Sequence, residues 1–122
     1  MIDGVHALLF ADDAEAARAF LLDVLGLESV DAGGGWLIFA LPPAELAVHP
    51  ADGNDRAAGD QRLFLMCRDI HRTAAELEAR GVDLTSPVTE QRFGLVTSLR
   101  VPGAGEIGLY QPAHPSPLPG FG

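Results

Sequence analysis

A duplicated segment limits the folds open to this chain more than any other feature. PPAELAVHP at 42–50 returns as PGAGEIGLYQP at 102–112. With one residue inserted, Glu45 aligns with Glu106, Leu46 with Ile107, Ala47 with Gly108, Val48 with Leu109 and His49 with Tyr110. Earlier in each half, VHALLFADDAEAARAF (5–20) lies over QRLFLMCRDIHRTAAE (61–76), which sets His6 over Arg62, Phe10 over Met66 and Asp13 over Asp69. Identity is low, yet the order of signals is kept, and an internal repeat has to be explained before any single element.

Each half opens with a short apolar run of strand length, VHALLF or RLFLMC. Asp13 and Asp69 follow at N-cap positions, where a carboxylate accepts from the free N–H groups of a first helical turn. Ala14, Ala17, Phe20, Leu21, Val24 and Leu25 give the first helix its apolar stripe; Ile70, Ala74, Leu77 and Arg80 mark the second. Gly26 and Gly81 stand where the helices should stop, since glycine enters the left-handed region without strain. Strands are then expected at 27–31, 35–41 and 45–49, and at 82–85, 94–101 and 106–110, with GGG (33–35) as a hairpin turn. Each half therefore reads β-α-β-β-β. The predicted organisation is a first module at 1–50, a polar linker at 51–60, a second module at 61–112 and a Pro-rich tail at 113–122, extended over the surface or frayed. The fold class is α+β: two βαβββ modules side by side, forming an eight-stranded cup.

The chain has 122 residues, enough for one compact domain or two half-domains sharing a core, and 48% of them are hydrophobic. Its formal net charge of −9 argues against nucleic acid or an anionic membrane as partner, because phosphate binding needs a basic face. The single cysteine, Cys67, allows no internal disulfide and fits a reducing compartment. With no export signal or apolar span read from the sequence, a cytoplasmic protein is expected. Exposed sheet edges favour pairing, so a homodimer is expected too.

With these elements in order, the chain resembles the vicinal-oxygen-chelate superfamily of glyoxalase I, bleomycin-resistance proteins, fosfomycin-resistance enzymes and extradiol dioxygenases. The likeness runs over residues 4–112 and is carried by GVHALLF, the helix opening at Asp12-Asp13, FLLDVLGL and GEIGLYQP. It implies metal ligands on the first and last strand of each module, facing the cup, around a divalent ion that acts as a Lewis acid. The matching positions are His6, Arg62, Ala47 and Gly108. Only His6 is a ligand type; arginine is always protonated and cannot hold a cation. No cofactor is therefore expected. The alternative is a divalent metal in a shifted set of His6, Glu45 and Glu106, since strand residues two apart share a face roughly 7 Å along.

The resulting expectation is a small organic ligand bound in the cup, with the metal site degraded. Arg62 is the candidate anion anchor, or else half of a structural ion pair with Glu45 or Glu106. Trp36 is a candidate stacking wall, or a core or dimer-interface residue. His49, Phe64 and Tyr110 complete the candidate ligand-binding set, and Phe93 and Met66 could also line it. If the protein is an enzyme of the lyase or dioxygenase type, His6 and Glu106 are the catalytic candidates. If it is a sequestering binder, the acidic charge suits a basic ligand. His71 and His114 are expected to be solvated, and Cys67 a buried inert thiol.

Overall fold

The structure, a computed structural model, describes residues 6–9, 11–45, 47, 61–92 and 94–121. The predicted linker 51–60, His49 and Phe93 lie outside the described residues. The chain divides into two compact units, Met1–Ala40 with Val101–Gly105, and Leu41–Arg100 with Glu106–Gly122.

In the first unit, the Asp13 side chain caps helix α1 (Ala14–Ala19) by accepting from the Ala16 amide at 3.0 Å. The predicted helix then continues as a π-helical turn, Phe20–Val24, in which the Leu25 amide donates to the Phe20 carbonyl at 3.2 Å. The buried stripe is narrower than the expected one. Ala17 and Phe20 are buried, whereas Ala14 is exposed. Gly26 ends the segment at φ +68, as its position predicts. At the cap itself the Asp13 amide donates to the Gly103 carbonyl at 2.9 Å, so residues of the closing phrase of the second half belong to this unit. A β-carbon at Gly103 would overlap Asp13.

Strands β1 (Ser29–Asp31) and β2 (Leu37–Phe39) form an antiparallel ribbon with Val30 opposite Ile38. GGG makes the expected turn: Asp31 accepts from the amides of Gly33 at 2.7 Å and Gly35 at 3.2 Å. The Asp-anchored turn takes in Gly35 and so delays the start of β2 to Leu37, while β1 also starts later, at Ser29, and β2 ends earlier, at Phe39, than predicted. Residues 6–9 carry no strand, in contrast to the apolar run read there, and Leu8 is 70% exposed. Glu45 and Ala47, the described residues of the predicted strand 45–49, also lie outside strands.

In the second unit, β3 (Phe64–Met66) leads into α2 (Ile70–Ala79), then β4 (Thr89–Gln91), β5 (Gly94–Val101) and β6 (Gly105–Pro112), so the β-α-β-β-β order holds. The sheet order is β3-β6-β5-β4. Asp69 caps α2 by accepting from the Arg72 amide, and Gly81, at φ +85, closes it with the Val82 amide donating to the Leu77 carbonyl at 3.0 Å. The Gln111 side chain in turn accepts from the Ile70 amide at 2.9 Å, tying the start of α2 to the end of β6. Ile70, Ala74, Leu77, Val82, Leu99, Ile107 and Leu109 are buried and form the core here.

The predicted strand 82–85 is reduced to a single bridge, Leu84 to Leu99, and the edge resumes as β4, where no strand was expected. Pro87 is the cause: it has no N–H to give the ladder and splits the edge in two. The gap is held by buried Thr97, whose hydroxyl donates to the Ser86 carbonyl at 2.6 Å.

Candidate functional site

The side chains that could recognise a ligand gather in the second unit where β3 runs beside β6. These strands are parallel, with Phe64 opposite Gly108 and Met66 opposite Tyr110. Opposed residues project to one face, so Phe64, Gly108 and Tyr110 share it. Gly108 has no side chain, and the Phe64 ring fills the space a side chain would take: a β-carbon at Gly108 would overlap the ring. The Phe64 and Tyr110 rings then meet edge to face, with centroids 6.1 Å apart and planes at 68°. Tyr110 is buried, 8% exposed, while Phe64 keeps 43% of its surface open. Together they make an aromatic corner with one ring presented outward.

A carboxylate stands beside this corner. The Glu45 side chain is 17% exposed, and the tail engages both of its oxygens. Ser116 Oγ donates to Oε2 at 2.6 Å, and His114 Nε2 lies 3.5 Å from Oε1. The His114 ring also packs against Tyr110, centroids 5.8 Å apart. His114 is therefore half-buried and partnered, not solvated as the sequence suggested, and the tail is pinned rather than frayed. Neither His114 nor Ser116 was singled out beforehand as a site residue. The available signal was that they are the polar residues set two apart between prolines, which puts both on one side of an extended chain.

Burial, and secondarily the charge of Glu45, push the Tyr110 hydroxyl above its ordinary value of 10.0. Tyr110 is the only tyrosine in the chain, so a phenol absorbance titration reads it alone. Its midpoint should lie above 10, and Glu45→Gln should lower it without restoring the ordinary value, because burial is the larger cause. The folded state then keeps a proton that the unfolded state has lost. Stability should fall as pH rises from about 10 through the raised value, and a flat melting profile across that window would refute the assignment.

Glu106 is exposed and pairs with Arg100 at 4.0 Å, and it sits four residues, roughly 13 Å, along β6 from Tyr110. Arg62 is exposed ahead of β3, and His6 is exposed in the first unit. Trp36, also in the first unit, is 62% exposed, which removes the reading of it as a core residue; the Arg18 guanidinium lies 4.8 Å over its ring. Cys67 is half-buried rather than buried as expected, and burial raises its thiol above its ordinary value. Among the described residues no three His, Cys, Asp or Glu side chains are grouped so as to hold a metal ion. The donor chemistry at the positions the resemblance marks does not suit a cation: Arg62 is a cation itself, Ala47 has no donor, and Gly108 is covered by a phenyl ring.

Mixed sheets with few helices are the α+β fold of the glyoxalase and bleomycin-resistance proteins. The chain belongs to the Glyoxalase/Bleomycin resistance protein/Dioxygenase superfamily, which it matches over residues 5–103. It is similar to the crystal structure of an antibiotic-binding protein from a Streptomyces species, with 25% identity and a TM-score of 0.60 over 93% of this chain and 100% of that one. A member of the superfamily from Sphaerobacter thermophilus is 26% identical, with a TM-score of 0.62 over 90% and 98%. A lactoylglutathione lyase from Agrobacterium tumefaciens, at 21% identity and a TM-score of 0.57 over 89% and 92%, shares the fold. No curated protein matches the chain in sequence. Among the described residues no helix is long and apolar enough to cross a membrane.

Proposed function

We propose that this protein binds a small organic molecule against the Phe64–Tyr110–Glu45 face and does so without a metal ion. The observation that carries the reading is the Phe64 ring lying over Gly108, at the position where the family's last-strand carboxylate ligand would stand. An outward aromatic ring suits a planar or apolar ligand, and Glu45 suits a donor group on it. The similarity to an antibiotic-binding protein supports a binding role. A thermal-shift screen of aromatic compounds tests it. A ligand at about a hundred times its Kd should stabilise the protein by about 2.7 kcal/mol, with or without a chelator. Phe64→Ala should lose that shift. A shift abolished by chelator, or no shift with any compound, would overturn the reading.

A homodimer is part of the same proposal. Leu8, Leu22, Val30 and Trp36 are large apolar side chains exposed in the first unit, and a second copy covering them would take them out of water. Trp36 is the only tryptophan and reports on its own environment. Its emission should move to shorter wavelength as protein concentration rises, in step with a doubling of mass by light scattering. A monomer mass at every concentration would refute the dimer.

A further inference from the structure

The tail is attached in an unusual way, and its target is the carboxylate of the binding face. Pro112, Pro115, Pro117 and Pro119 remove the amides a strand would use, so the segment Ala113–Phe121 cannot join the sheet as a continuous ladder. Side chains hold it instead. His114 and Ser116 take the two oxygens of Glu45, and the His114 ring lies on Tyr110. Beyond them the Ser116 hydroxyl accepts from the Leu118 amide at 3.1 Å, and the Arg68 guanidinium sits 5.7 Å over the Phe121 ring. Gly120 turns the chain there with φ at +85, a conformation that favours glycine. The pieces presented to Glu45 and Tyr110 are thus an imidazole and a hydroxyl carried on a stiff, proline-spaced strap.

We propose that this strap is an intrinsic competitor for the binding face: His114 and Ser116 occupy Glu45 in the free protein, and the ligand is a nitrogen-containing aromatic compound with a hydroxyl group that displaces them. The inference rests on the reading of this face as a binding site. The ligand class follows from what the strap itself offers, since a replacement must satisfy the same carboxylate and cover the same ring. The tail is suited to leaving. It has few backbone bonds to break, and its prolines limit the entropy it regains or loses on moving.

The test uses the full chain, with imidazole and histidinol as probes. Histidinol carries both the imidazole and the hydroxyl of the strap. In the wild type the tail amides of Leu118 and Phe121 should be as rigid as the sheet by NMR relaxation. They should become mobile in Glu45→Ala and in the double variant His114→Ala/Ser116→Ala, with the core resonances unchanged. The double variant should bind histidinol about tenfold more tightly than the wild type, because a face open in only a tenth of molecules loses that factor in apparent affinity. Glu45→Ala should bind neither probe. A tail that stays rigid in both variants overturns the clasp. Equal histidinol affinity in wild type and double variant overturns the competition, while compounds found in the thermal screen would still bind and leave the binding reading intact. If neither protein binds the probes or any compound of the screen, both inferences fall together.

Discussion

Gly94→Ala should cost this protein about 3 kcal/mol or more, combining overpacking with backbone strain, and lower its Tm by roughly 10 °C. Gly94 is buried at the start of β5, beside β6, with φ at +154. A β-carbon there would overlap the Gln111 carbonyl oxygen and press on the Tyr110 ring. The first of these is backbone, which cannot swing aside as a side-chain tip can. Relief would have to come from opening β5 from β6 next to the residue whose side chain anchors the start of α2. The effect should therefore reach the Tyr110 titration as well as the melting temperature. A variant that melts within 2 °C of the parent, taking about 4 °C per kcal/mol as the scale, would show the contact to be absent.

Gly108→Glu, which places a carboxylate where the family's metal ligand belongs, should destabilise the protein by about 3 kcal/mol at neutral pH. Two causes add. The Phe64 ring must vacate the space over residue 108, and a charge must enter a buried position on β6. The charge part is sensitive to pH. Burial raises the new carboxyl above its unfolded value, so its penalty should shrink as pH falls through that raised value. The steric part is not, and Phe64→Ala in the same chain should recover it. The two substitutions should be clearly non-additive in a double-mutant cycle, as expected for side chains competing for one volume. Additive losses would mean that the ring does not cover this position. Gly108→Ala isolates the steric part and should cost about 1–2 kcal/mol.

Much of the architecture was written locally. Asp13 and Asp69 at the caps, Gly26 and Gly81 at the stops and the triple glycine of the turn each act on their immediate neighbours, and each is found in that role. The second half kept its order of elements because β5 and β6 are long and strongly patterned. Misreadings arose where the outcome depends on what lies across the sheet or along the tail. A strand exists only through its ladder, so the apolar run containing residues 6–9 looked like one without being one. Beyond Pro87 the edge carries β4, for which no strand was expected between 82–85 and 94–101.

The site followed the same division. Phe64, Tyr110 and Glu45 were candidates from facing arguments alone, and the first two meet as that alternation requires. Glu106 aligns with Glu45 in the repeat, yet it pairs with Arg100 at the surface. Ser116 sits 71 residues from the carboxylate it holds, with His114 close by, and no local pattern could link them to Glu45. Long-range side-chain pairing of this kind leaves no periodic trace in a sequence.

The docking of Gly103 on the Asp13 cap bears on how the protein is made. Translation delivers Asp13 early and Gly103 near the end, so the amino-terminal unit must wait for almost the whole polypeptide to leave the ribosome before it can close. Because Val101–Gly105 complete the amino-terminal unit, a cut anywhere between residues 40 and 101 would part α1 from the carbonyl that binds its cap.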